Sequence, residues 1–301
     1  MPGELPESLG NVPKAPQESR RIVYDLCDAL RNDLRTRAEF VERANEIQET
    51  LNLSGQCEGI PDLGRRDTFA FEEQVCFGNA VKALVNDDFD SLHASIRQHQ
   101  DSVWRDFGTS KVKWDLLDSA SALIDACHGI QELIQKHAKT ISELTDFYTE
   151  RFSEVDRLYR SFEQASSGIF DDTTQIKLIR DQAQKIYLKT VSKLQDSFLK
   201  LIGNDGWPIP DIMANIDAFD RLVAPSLQQS GRKIAVFQVD ALRYELGAEM
   251  MTYLEEYGKV SLKPACAQLP TITSVGMVSL LPDANQKLSI NSDESGTVIN
   301  W

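Results

Sequence analysis

The sequence predicts a mainly α protein that changes character near residue 231. Two observations carry this. Apolar residues recur at three- and four-residue steps through most of 17–229, and IAVFQVD at 234–240, a short run rich in β-formers, then breaks the helical period. The chain therefore divides, on its sequence, into an extended arm over 1–16, a helical region over 17–230 and a strand–helix–strand region over 231–301.

Residues 1–16 hold four of the eleven prolines, which disfavour regular structure. Over 17–52, Ile22, Leu26, Leu30 and Leu34 and then Phe40, Ala44, Ile47 and Leu51 mark helix with one skip. Gly55–Gly64 reads as a loop. Asp67 or Thr68 caps a helix carrying Phe69, Val75 and Ala80, and Asp87–Asp90 starts another that runs to about His99.

The longest helical signal begins near Lys113. In its second half Ile141, Leu144, Tyr148, Phe152, Val155, Tyr159 and Phe162 form one apolar stripe. SSGIFDD at 166–172 interrupts it, and a second stripe runs Ile176, Ile179, Ala183, Ile186, Val191, Leu194, Phe198, Leu201. Two long helices with a short polar break predict an antiparallel hairpin. Such a hairpin reads first as a structural bundle, with an arm that docks a partner as the sharper alternative.

GNDGWPIP at 203–210 ends the hairpin, and a short helix fits 211–229. IAVFQVD then reads as a buried parallel strand. ALRYELGAEMMTYLEEYG reads as a helix ending at Gly258, and KVSLKPACAQLP as a second strand limited by Pro264 and Pro270. No strand is expected before 231.

Composition narrows the function classes. A net charge of −14 gives no broad electrostatic footprint for nucleic acid. Five scattered cysteines without a CxxC argue for reduced thiols rather than disulfides or a zinc ribbon. The first residues lack the apolar core of a signal peptide, and no apolar run approaches the roughly 20 residues a membrane span needs. A soluble cytoplasmic protein without membrane contact is the expectation.

Asp240 closes a predicted strand, where α/β sheets place their ligands, although an aspartate there also serves as a helix N-cap. The chain has no GxxxxGK[ST] phosphate loop to make Asp240 a Walker-B residue. Leu242 stands where a haloacid-dehalogenase site has its second aspartate, and Ala-Leu-Arg-Tyr is no glycine-rich dinucleotide turn. Thr273 or Ser274 precedes the apolar run VGMVSLL and caps its helix on this reading. A hydroxyl at a helix start also faces free N–H groups that suit a phosphate. Once bound to a metal ion it becomes a nucleophile, and Asp240 is a natural second ligand.

Together, VDALRYEL and LPTITSVGMVSLLP closely resemble the opening of the PglZ domain, a branch of the alkaline-phosphatase superfamily. The resemblance implies an α/β domain whose first strand ends in a metal-ligating aspartate, here Asp240. It implies a nucleophile at the head of the next helix, here Thr273, because Leu280 and Leu281 follow seven and eight residues later. Thr271 and Ser274 put that leucine pair out of step and rank lower. DTFAFEE at 67–73, RQHQDSVW at 97–104 and the hairpin are similar to the helical region preceding the catalytic domain in PglZ proteins of BREX phage-defence systems.

The implied cofactor is a divalent metal, zinc in a two-ion site, and the implied partners are other defence-system proteins. A phosphoester or a nucleic-acid-derived molecule is the implied substrate of the parent protein. The family's late Asp and His ligands have no counterpart here. His93, His99, His128 and His137 all precede Asp240, and Asp283, Asp293 and Glu294 are the carboxylates after Thr273. The expectation is a fragment of a PglZ-type phosphatase or phosphodiesterase, inactive as it stands, with a helical assembly module as the alternative.

Overall fold

The computed structural model describes residues 6–60, 63, 67–170, 173–231, 233–293 and 296–300. The chain is mainly α and divides into two compact units, Met1–Asp125 with Arg160–Tyr187 and Ala126–Tyr159 with Leu188–Trp301. The helices are α1 (Arg20–Asn32), α2 (Arg37–Thr50), α3 (Leu53–Gln56), α4 (Ala70–Val85), α5 (Phe89–Gln98), α6 (Ser110–His137), α7 (Ile141–Phe147), α8 (Ser153–Ser167) and α9 (Thr174–Asp205). After them come β1 (Met213–Ala214), α10 (Asn215–Ala218), α11 (Ala224–Leu227), α12 (Tyr244–Leu254), β2 (Ala265–Cys266), α13 (Thr273–Val278), α14 (Ala284–Lys287), β3 (Ser289–Asp293) and β4 (Gly296–Asn300).

In the first unit, α4, α5 and the start of α6 meet around Trp114, which is fully buried. Phe77 approaches it edge-on at 5.3 Å between centroids, His99 stacks on it at 6.2 Å, and the Arg105 guanidinium lies 5.1 Å from its ring centre. Its indole N–H donates to Glu73. Asp88 caps α5 by accepting from the Ser91 N–H at 3.1 Å, within the start expected at Asp87–Asp90. The cap expected of Asp67 or Thr68 falls instead on Phe69, whose N–H donates to Glu72 at 3.0 Å. Asp67 is drawn away by Arg31, with which it forms an ion pair.

Helix over 17–52 is broken at 33–36, where Asp33 accepts from the Arg35 N–H and holds its guanidinium. The stripe Ile22, Leu26, Leu30, Leu34 lies exposed, Leu34 at 81%. Part of the expected Gly55–Gly64 loop is helical, since Gly55 lies in α3; residues 61, 62 and 64–66 lie outside the described ones, as do 1–5 of the arm. The chain reverses between α8 and α9. There Arg180 donates to the Ser166 hydroxyl and to the carbonyls of Ser166 and Ile169, each at 2.8 Å. Of the turn expected at 166–172, residues 171 and 172 lie outside the described ones. Ile176, Ile179 and Ala183 are fully buried.

In the second unit, α7 passes through a π turn at Tyr148–Phe152 into α8. The expected stripe shifts accordingly: Phe147 is buried and Tyr148 half-buried, and the next buried residue is Phe152, five residues on. Five is the repeat of a π turn, so both phenylalanines stay on the packed face.

Three strand expectations are corrected. IAVFQVD has no regular secondary structure and pairs with no strand among the described residues, and Phe237 is 87% exposed. A run of β-formers becomes a strand only when a neighbour supplies its ladder and cross-strand contacts. β1 precedes residue 231, pairing parallel with β2 as Met213↔Ala265 and Ala214↔Cys266. KVSLKPACAQLP keeps only those two strand residues, ahead of Pro270. The antiparallel pair β3–β4, in register from Ser289↔Asn300 to Asp293↔Gly296, was not expected.

Candidate functional site

The second unit contains a cleft of about 960 Å³, within the usual range of small-molecule sites. Its walls are largely apolar, including Tyr148, Phe198, Trp207, Phe219 and Met277. Asp240, Arg243, Lys263 and Thr273 bring polar chemistry to the same lining. Trp207 is fixed by its indole N–H, which donates to the Ala267 carbonyl at 2.9 Å, and by Phe198 edge-on at 6.1 Å.

The segment 233–239 delivers Asp240 to this cleft without being a strand. Gln238 tethers it by donating to the Leu280 carbonyl at 3.0 Å. Directly after Asp240, Ala241 adopts a left-handed φ of 52°, a conformation that disfavours any residue with a Cβ. That bend lies between the irregular run and α12, whose N-cap is Arg243.

Thr273 is the first residue of α13, and the N-cap is Ile272, not Thr273 or Ser274 as the sequence suggested. The Thr273 hydroxyl donates to Asp240 Oδ2 at 3.2 Å. The two site candidates separated by 33 residues are thus in contact, and both are exposed. Thr271 also lines the cleft, whereas Ser274 is exposed and is not part of the lining. α13 has only six residues, so its dipole adds little to the hydroxyl's surroundings.

The donor chemistry of the pair suits a divalent ion. Two oxygens bound at about 2.0 Å to a tetrahedral ion stand about 3.3 Å apart, close to the observed separation. The number of donors does not suffice, because no group of three His, Cys, Asp or Glu side chains converges anywhere among the described residues. Asp283 is engaged by Lys287 at 2.9 Å, and Glu294 lies outside the described residues. The histidines face elsewhere: His93 pairs with Asp125 at 2.9 Å, His99 with Cys76, and His137 stacks on Phe147 at 4.9 Å.

Sequence reasoning missed two residues of this region. Arg243 and Glu245 belong to the LRYE stretch and form an ion pair at 2.8 Å, with Glu245 buried. The signal was present: a cation three residues beyond a candidate ligand is placed to meet an anion at the same site.

No helix among the described residues is long and apolar enough to cross a membrane. No curated protein and no solved structure matches the chain. Residues 218–298, which contain both Asp240 and Thr273, match the family described as the BREX system PglZ alkaline phosphatase-like domain, and over that segment the chain is similar to PglZ domains.

Proposed function

We propose that residues 231–301 supply part of a divalent-metal phosphoester hydrolase site, with Asp240 as metal ligand and Thr273 as nucleophile and ligand. The contact between the Thr273 hydroxyl and Asp240 at 3.2 Å on the cleft lining carries this reading. Alkaline phosphatase-like domains imply a divalent metal in general, and zinc is the ion proposed here. In this arrangement Asp240 accepts the Thr273 hydroxyl proton in a hydrogen bond and holds the oxygen toward the cleft. A hydroxyl held in this way is neutral and a poor nucleophile. A divalent ion, if held by Asp240 and Thr273 with further ligands, would supply Lewis acidity that makes the hydroxyl a better nucleophile.

With two donors where a catalytic zinc site has three plus water, the remaining ligands come from outside the described residues. On this reading the chain is one piece of a PglZ-type phosphatase or phosphodiesterase of a cytoplasmic phage-defence system. Residues 17–230 form its helical part and contact other proteins of that system. The shortage of donors, together with the exposed apolar face of α1, favours a second reading, a helical assembly module without activity.

The test combines calorimetric zinc titration with hydrolysis of bis-p-nitrophenyl phosphate by the chain, Asp240→Asn and Thr273→Ala. Weak zinc binding that both substitutions abolish, with no turnover, is the expected result. Zinc binding indifferent to both residues would leave the assembly reading in place.

A further inference from the structure

Glu245 lies in the first turn of α12 with its side chain 2% exposed. A carboxylate removed from water needs a cation or several donors to offset its lost hydration. Among the described residues neither oxygen of Glu245 accepts a hydrogen bond. Its ion pair is with Arg243, whose Nε stands 2.8 Å from Oε1 without hydrogen-bond alignment. The contact is therefore Coulombic, and it holds the guanidinium from the Nε side.

The other face of that guanidinium is open. The Arg243 side chain is 58% exposed, and the residue lines the cleft together with Asp240 and Thr273. No hydrogen bond joins its terminal nitrogens to protein among the described residues. A planar fork with two free N–H edges matches two oxygens of a phosphoryl group. The site also needs a cation, because the chain carries a net charge of −14 and Asp240 adds a local negative charge that repels any phosphate. Lys263, the other cation on the lining, has no carboxylate to fix it among the described residues.

We propose that Arg243 recognises the phosphoryl group of the substrate, its terminal nitrogens binding two non-bridging oxygens of a phosphate ester, and that Glu245 is its positioning residue. This rests on the phosphoester reading of the Asp240–Thr273 pair. It adds a residue that contacts the anion without requiring a metal.

The experiment is calorimetric titration of the chain with inorganic phosphate, with and without zinc, alongside zinc titration of the same variants. Arg243→Ala weakens phosphate binding at least about 10-fold, as loss of a charge-assisted pair requires, while circular dichroism and thermal unfolding serve as the control that the fold persists. Arg243→Lys restores part of the loss, being a point charge rather than a fork. Glu245→Gln weakens phosphate binding by a smaller factor and adds nothing in the Arg243→Ala background. Should Glu245→Gln fail to fold by circular dichroism, the Ala and Lys variants at 243 still decide the role of the arginine.

Phosphate binding that is absent, or unchanged in Arg243→Ala, overturns the proposal. An equal Glu245→Gln effect with and without Arg243 overturns the positioning role. Phosphate binding that depends on Arg243 in a chain that takes no zinc sinks the metal reading alone. Zinc binding through Asp240 and Thr273 with phosphate binding indifferent to Arg243 sinks this inference alone.

Discussion

The surroundings of Trp114 and of Thr273 use similar residue types to opposite ends. Around Trp114 stand a thiol, an imidazole, a carboxylate and a hydroxyl: Cys76 Sγ lies 2.9 Å from His99 Nδ1, and Glu73 accepts from both the Trp114 indole and the Ser110 hydroxyl. By residue type this is the richer catalytic set, yet burial drives the thiol, the carboxyl and the imidazole toward their neutral forms. The Cys76 thiol is pushed up to about 12, the Glu73 carboxyl is raised, and the His99 imidazole is lowered. A thiol that burial keeps protonated is a poor nucleophile. Asp240 and Thr273 are fewer and simpler, but both are exposed on the lining of a cleft. A constellation becomes a site through access and unmet valence, not through the number of reactive residue types it gathers.

The largest test of this contrast is stability. Trp114→Ala should cost about 3–5 kcal/mol, the usual loss for a buried aromatic, with an added penalty at Glu73 for its missing donor. Asp240→Ala, at an exposed position, should change stability by no more than about 0.5 kcal/mol. Urea unfolding measures both. Equal losses would show that Asp240 is structural and would erase the distinction.

A smaller effect concerns pH. The folded pKa of His99 is lowered, chiefly by burial. Its contribution to stability is therefore fully present above its unfolded value of about 6.5 and is lost as pH falls from there through the lowered folded value. Glu72 and Glu73, raised by burial, act with the opposite sign: their stabilisation belongs to low pH and is lost as pH rises from about 4.5 through their folded values. The difference between the wild type and His99→Gln isolates the histidine. The wild type should lose more stability than the variant on going from pH 7 to pH 5, by at most about 1.4 kcal/mol per pH unit, one proton's worth. Parallel curves would mean that His99 is charged or free to titrate in the fold.

The smallest effect sits beside the site. Ala241→Gly relieves the left-handed backbone after Asp240 and should stabilise the chain by about 0.5–1 kcal/mol in thermal unfolding. Destabilisation would show that the bend carries no strain.

What the sequence disclosed follows the range of the forces involved. The hairpin was legible because Ile176, Ile179 and Ala183 repeat at helical steps and helical hydrogen bonds are local. The pairing of Asp240 with Thr273 was foreseen through two spaced motifs, though not its form, a direct hydrogen bond from hydroxyl to carboxylate. The fate of IAVFQVD was not legible, because a strand exists only through a partner that may lie far away in sequence. The stripe of α1 foretold its helix but not its exposure: periodicity marks a face suited to burial and says nothing of what covers it. Cys76 and His99, 23 residues apart on different elements, carried no motif that could join them. Ala241 gave no warning, since alanine, unlike glycine or asparagine, has no tendency toward left-handed backbone.

The π turn at Tyr148–Phe152 has a meaning in the language of insertions. A helix that gains one residue can pass the extra length along as a rotation of about 100° for everything downstream, or confine it to one wide turn. Here it is confined: Phe147 and Phe152 remain buried with their rings 6.5 Å apart, and α8 continues with Val155 and Phe162 inward. The surplus residue emerges on the flank, where Tyr148 and Thr149 line the cleft and the Tyr148 hydroxyl donates to Asp156 at 2.8 Å. A lineage could therefore reshape this wall of the cleft by gaining or losing a single codon, leaving both halves of the helix packed as before.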